Sequence, residues 1–255
     1  MKHKFLLCAL ALCGVLNAGE VSIAAAANTT YAFDEIKSEF AKAYPQTTLN
    51  VSLGASGALN TQIKNGAPFD IFMAADMKFA DDLFEAGFAT AKAQTYAKGK
   101  VAMLSVRGVD LGKGLDALKD EKVKTISIAN PKTAPYGAAS VEAMQKAGIF
   151  DSIKAKIIEA KSIGEALTQT LSAADVGFIA ASAMYAPKMK EGGCAGAPCE
   201  EGKHFVLVPS SLYEPIAQGM VILKKAQNNA EAKAFYDFIL SDKGREIFAK
   251  YGYEF

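Results

Sequence analysis

Four short stretches of the chain place small polar residues and glycine where a helix is about to begin: Ala27-Asn28-Thr29-Thr30, Gly54-Ala55-Ser56-Gly57, Ala134-Pro135-Tyr136-Gly137 and Lys161-Ser162-Ile163-Gly164. The first turn of a helix has backbone N–H groups without intrahelical acceptors, and it carries a partial positive charge. Such a start holds an anion without help from Lys or Arg. Gly57, Gly137 and Gly164 each follow the residue at the start, where a backbone can come close. Asn28 and Ser56 add side-chain donors. Taken singly, each stretch reads as an ordinary helix cap. With two such stretches in each half of the chain, they point together to one shared anion site.

Other chemistry-bearing residues are sparse. Beyond the N-terminal segment there is one histidine, His204, with no G-x-S-x-G elbow and no paired acidic motif. That leaves no nucleophile–base set for an enzyme. Asp70 and Asp76 read as caps or loop contacts. Cys194 and Cys199 lie in the Gly/Pro-rich stretch 191–199. In an oxidising compartment two cysteines this close read as a disulfide that staples a loop. The rival reading, half of a metal site, has no second Cys/His pair to complete it.

The chain begins with Lys2, His3 and Lys4, an apolar run from Phe5 to Leu16, and then the small residues Ala18 and Gly19. This is the order of a secretory signal peptide, placed at residues 1–18, and it implies export to the periplasm. The apolar run is short for a membrane span. Cys8 and Cys13 leave with that segment. The formal net charge is +1, from 28 Lys and Arg against 27 Asp and Glu. No basic excess speaks for nucleic acid, and any bound anion must be held by local geometry.

The elements that must position these stretches alternate along the chain. Val21 and Ile23, then Leu49, Val51 and Leu53, show the period of strands. Phe69 to Met73, Val101 to Val106, Thr125 to Ala129, Val176 to Ala180 and Phe205 to Val208 are short apolar runs that read as further strands. Phe33, Ile36 and Phe40, Leu59 and Ile63, and Val141 and Met144 have helical spacing. Ile216 to Leu223 reads as a last long strand crossing back, before two helices marked by Phe235, Phe238, Ile239, Ile247 and Phe248. No internal sequence repeat is visible. Alternating strands and helices imply an α/β protein with helices on both faces of its sheets, and ligands beyond the carboxyl ends of the strands.

Segments 24–36 (AAAANTTYAFDEI), 54–76 (GASGALNTQIKNGAPFDIFMAAD), 130–148 (NPKTAPYGAASVEAMQKAG) and 233–253 (KAFYDFILSDKGREIFAKYGY) resemble the periplasmic molybdate-binding proteins of ABC transporters. The resemblance implies a type II periplasmic binding fold of two lobes, each a mixed sheet flanked by helices, joined by two hinge crossings. Lobe 1 would comprise residues 19–99 and 218–255, and lobe 2 residues 100–217. It implies a tetrahedral oxyanion, molybdate or tungstate, held by hydroxyl and N–H donors with no cationic side chain. The contacts would be Asn28, where Ser is common in the family, the Ser56 hydroxyl, and the backbone N–H groups of Tyr136 and Ile163. Some members add a tyrosine hydroxyl at the position of Ala180, so that contact is missing here. Whether the Tyr136 hydroxyl points inward toward that vacancy stays open. The resemblance further implies a monomeric carrier without a cofactor that delivers its ligand to an inner-membrane ABC permease and catalyses no reaction. Sulfate or another small oxyanion on the same fold is the rival ligand, and an exported enzyme is the rival class.

Overall fold

The computed structural model describes residues 19–255, so the signal-peptide reading of residues 1–18 falls outside it. The first part of the chain forms β1 (Gly19–Ala26), α1 (Thr30–Ala43), β2 (Thr47–Gly54), α2 (Ser56–Lys64), β3 (Ile71–Met73), α3 (Met77–Glu85) and β4 (Gln94–Gly99). The middle forms β5 (Val101–Leu104), β6 (Ile126–Ala129), α4 (Pro135–Lys146), α5 (Phe150–Ile153), β7 (Ile157–Ala160), α6 (Ile163–Ser172), β8 (Val176–Ala180), α7 (Pro187–Gly192) and β9 (Phe205–Leu207). The chain closes with β10 (Ile216–Ile222), α8 (Ala230–Leu240) and α9 (Asp242–Lys250).

These elements build two five-stranded mixed sheets, ordered β2-β1-β3-β10-β4 and β7-β6-β8-β5-β9. In the first, β1 runs parallel to β2 and β3, and β10 runs antiparallel to β3 and β4. In the second, β6 runs parallel to β7 and β8, and β5 runs antiparallel to β8 and β9. The two sheets therefore repeat one plan although the sequence shows no repeat. The chain crosses between them at Lys100, between β4 and β5, and again after β9 on the way to β10.

Burial explains the local choices. Val21, Ile23 and Ala24 to Ala26 of β1 are buried, as expected of a central strand covered on both faces. β2 alternates partly buried and exposed residues over most of its length, as expected at an edge. Helix α1 buries Ala32, Phe33, Ile36 and Phe40 along one stripe. Phe40 and Phe33 pack on Phe235 of α8, which ties the C-terminal helices to the first sheet. The strand read from Phe69 to Met73 is shorter, beginning at Ile71. Phe69 N–H instead turns back to Ala67 O at 2.9 Å, because Pro68 interrupts the run.

Strand ends set the position of the helix starts. Ala26 and Gly54 are paired across β1 and β2, and Ala129 and Ala160 across β6 and β7. Neighbouring parallel strands thus stop level, and each sheet delivers two helix starts side by side. A single turn of 3-10 helix, Ala27–Thr29, leads into α1.

Candidate functional site

A small cavity lies where the helix starts of the two sheets meet. It is lined by Ala26, Ala27, Asn28, Gly54, Ala55, Ser56, Ala75, Ala134, Pro135, Tyr136 and Ile163. All four residues singled out in the sequence, Asn28, Ser56, Tyr136 and Ile163, are therefore on one wall or another of a single cavity. No charged side chain lines it. Most of the rest are alanines, whose small side chains leave backbone N–H groups within reach of a ligand.

Each start contributes differently. Ser56 is the first residue of α2 and does not cap it, since the N-cap is Ala55 without a side-chain bond. Its Oγ instead accepts from Ala75 N–H at 2.9 Å. That bond uses a lone pair and leaves the hydroxyl proton free to donate. Tyr136 and Ile163 lie in the first turns of α4 and α6, where the helix supplies no acceptor for their N–H groups. Ser162 is the ordinary cap of α6, its Oγ accepting from Glu165 N–H at 3.2 Å. Asp76 caps α3 through Phe79 N–H, and Asp70 accepts from Ser22 N–H. These two carboxylates are structural, as their positions in the sequence suggested. Burial raises the Asp76 carboxyl above its usual value, against the lowering effect of the Phe79 N–H.

Gly137 shows why α4 sits so close. A Cβ at this position would fall 2.0 Å from Ala129 O, the last carbonyl of β6. Only glycine lets the helix start rest on the strand end. The two halves also touch directly. Gly57 N–H donates to Thr133 O at 2.8 Å, and Ser182 Oγ donates to Asn28 O at 2.9 Å.

Asn28 departs from the sequence-based expectation in one respect. Its Nδ2 does not face the cavity but donates to Gln218 Oε1 and to Tyr253 Oη, each at 2.8 Å. Tyr253 Oη in turn donates to Asn28 O at 2.8 Å. Tyr96 Oη donates to Gln218 Oε1 at 2.8 Å, and Gln218 Nε2 donates to the Tyr136 hydroxyl at 3.3 Å. The Tyr136 hydroxyl thus turns toward Gln218 and Gly99; a Cβ on Gly99 would lie 1.9 Å from it. Ala180 ends β8 and does not line the cavity. Burial pushes the Tyr96 and Tyr136 hydroxyls well above their usual range and the Tyr253 hydroxyl up to about 12. All three stay protonated and neutral at neutral pH. Sequence periodicity did not bring out Tyr96, Ser182, Gln218 or Tyr253. A signal was present for Gln218, a lone amide in the otherwise apolar strand β10, since a buried amide needs partners.

Cys194 and Cys199 are joined as a disulfide in the loop after α7. Among the described residues, no three His, Cys, Asp or Glu side chains gather as a metal site. None of the helices described is long and apolar enough to cross a membrane.

Comparison with known proteins gives a consistent picture. Residues 21–254 match the family model of bacterial extracellular solute-binding proteins. The molybdate-binding protein ModA of Azotobacter vinelandii is 38% identical over 238 residues, covering 92% of this chain and 90% of that protein. The ModA of Rhodobacter capsulatus is 37% identical over the same length, covering 92% and 88%. The solved structure of the periplasmic molybdate-binding protein of Azotobacter vinelandii superposes with a TM-score of 0.81 at 31% identity, over 92% of this chain and 99% of that one.

Proposed function

Because the chain belongs to the bacterial extracellular solute-binding proteins, and within them to the molybdate-binding proteins, we propose that it captures molybdate or tungstate in the periplasm and hands it to an ABC permease. The observation that carries this reading is the convergence of helix starts from both sheets on one cavity with no charged side chain. Such a site is built of donors, the Ser56 hydroxyl and the N–H groups of Tyr136 and Ile163, with Asn28 beside them. Helix dipoles and oriented N–H groups offset the charge of a dianion locally. The near-neutral net charge of the whole chain is then no obstacle.

A donor-only site also discriminates. A fully deprotonated tetrahedral oxyanion accepts at every oxygen. A protonated phosphate brings an O–H that would face another donor, and each such mismatch costs about 1–3 kcal/mol. The residues act as a carrier rather than a catalyst. The similar proteins are binding proteins by name, and Ser56 Oγ is held in place by the Ala75 N–H.

The mechanism is capture between two lobes, residues 19–99 with 218–255 and residues 100–217, hinged at the two crossings. The anion bridges starts from both sheets, and closure presents one surface to the permease. Export rests on the signal peptide read in residues 1–18, and the carrier works as a monomer. Calorimetric titration of the exported protein with molybdate, tungstate, sulfate and phosphate tests the whole reading. Tight molybdate or tungstate binding with weak sulfate and no phosphate response is expected. Tight sulfate binding without a molybdate response would overturn it.

A further inference from the structure

Asn28 carries the one buried side-chain polar atom that lacks a hydrogen-bond partner among the described residues, its carbonyl oxygen Oδ1. The residue lines the cavity and is 2% exposed. Its Nδ2 is already committed to Gln218 and Tyr253. A carbonyl oxygen is therefore the free end of the amide at a site otherwise built of donors. Facing an oxyanion, that oxygen would repel it. Facing nothing, it bears the cost of a buried acceptor without a donor.

Carboxamide oxygen and nitrogen are nearly equal in size, so an amide can turn over without moving its neighbours. Turning Asn28 alone fails, because its Oδ1 would then meet Gln218 Oε1. Turning both amides succeeds. Gln218 Nε2 would donate to Asn28 Oδ1 and to Tyr96 Oη. Gln218 Oε1 would accept from the Tyr136 hydroxyl. Tyr253 Oη would donate to Asn28 Oδ1, while Asn28 O keeps Ser182 Oγ as its donor. Tyr96 Oη would keep Ala74 O, 3.3 Å away, as its acceptor. Every group retains a partner, and Asn28 Nδ2 is released as a free donor in place of the orphaned oxygen.

We propose that Gln218 is the positioning residue of the oxyanion site: its amide and that of Asn28 turn over as a pair, so that the bound dianion meets N–H₂ and not a carbonyl. This rests on the oxyanion reading above and deepens it. Gln218 is fully buried and does not line the cavity. The ladder between β10 and β4 shifts register between Gln218 and Gly219, and a bulge of this kind re-aims a side chain. The hydroxyls that complete the network come from strand β4 (Tyr96), helix α4 (Tyr136), the turn after β8 (Ser182) and the C-terminal segment (Tyr253). The pair is thereby coupled to lobe closure, which assembles Tyr136 and Ser182 around it.

The test uses the exported chain with ¹⁵N-labelled side-chain amides. Calorimetry with molybdate comes first; if wild type binds no oxyanion, the functional reading itself falls and the inference with it. With binding established, the side-chain N–H₂ resonances of Asn28 and Gln218, assigned by their loss in N28S and Q218M, should both shift on saturation. Gln218 would shift although it touches no anion. Unmoved Asn28 and Gln218 resonances in the saturated protein would overturn the inference and leave the functional reading standing. A thermodynamic cycle separates positioning from mere packing. Gln218→Met should weaken molybdate binding about ten-fold in the wild-type background. In the Asn28→Ser background, where a freely rotating hydroxyl needs no amide partner, it should change affinity less than about two-fold. Equal losses in both backgrounds would assign Gln218 a packing role only.

Discussion

Ser56 Oγ accepts the Ala75 N–H at 2.9 Å, so the residue at the start of α2 is fixed by the loop that follows β3. Its hydroxyl has one proton left, and it lines the cavity. This decides between the two readings of a serine at a helix start. A capping serine spends its oxygen on its own helix, as Ser162 does with Glu165 N–H. Ser56 does not. Ser56→Ala should therefore lower molybdate affinity by about ten- to a hundred-fold, the worth of one hydrogen bond to a charged group. It should also cost about 1–3 kcal/mol of stability by orphaning the Ala75 N–H, without unfolding the protein. Calorimetry and urea denaturation read the two effects separately, and unchanged affinity would remove Ser56 from the site.

Gly137 and Gly164 each follow a proposed contact residue at the starts of α4 and α6, yet they should respond differently to the same change. At Gly137 a Cβ would lie 2.0 Å from a strand carbonyl that cannot move, so Gly137→Ala must lift α4 off β6. Overpacking of this kind costs about 1–3 kcal/mol, and the displaced Tyr136 N–H should weaken molybdate binding at least about ten-fold. At Gly164 the nearest atom to a new Cβ is Ala27 Cβ at 3.6 Å, an ordinary contact. Gly164→Ala should leave stability within about 0.5 kcal/mol. Thermal melts and titrations of both variants check the contrast; equal behaviour would mean that backbone approach does not set the position of α4.

How much of this was legible beforehand depends on range. The helix starts at Ser56, Tyr136 and Ile163 were visible because local chemistry marks them: a short polar or glycine-bearing link after an apolar run. The alternation of strands and helices was visible for the same reason. The Asn28 network was not. Asn28 lies 190 residues from Gln218 and 225 from Tyr253, and periodicity does not say which buried faces meet. The repeated plan of the two sheets was also hidden. It is set by where apolar residues fall, and many different side chains satisfy that pattern. The Asn28 amide illustrates a third limit. Its presence at the site could be read, but its orientation depends on Gln218, which sits 190 residues away in a strand of apolar neighbours.

The Cys194–Cys199 disulfide closes a loop with a sequence separation of 5, and neither cysteine lines the cavity. Constraining so short a loop in the unfolded chain is worth about 2 kcal/mol. Cys199→Ser, or reduction, should lower stability by about that amount while leaving molybdate affinity unchanged. Denaturation with and without reductant, followed by titration, measures both. A loss of affinity on reduction would show that the loop is coupled to the cavity.

Tyr253 gives the pH dependence a sign. Burial pushes its hydroxyl up to about 12, against hydrogen bonds from Ser182, Asn28 and Gln218 that lower it. In the unfolded chain the same hydroxyl titrates near its ordinary value of 10.0. Between these values the folded protein holds a proton that the unfolded chain has released. Stability is therefore unaffected by this group below pH 10 and falls as pH rises toward 12. At about pH 11.5 the loss from Tyr253 alone is about 2 kcal/mol. Tyr96 and Tyr136 act in the same direction, because burial raises both. Tyr253→Phe should be less stable near neutrality, since Asn28 O loses a donor, yet its stability should decline less steeply between about pH 9 and about pH 11.5. Urea midpoints of the two proteins across that range provide the measurement, and parallel declines would place the titrating groups elsewhere.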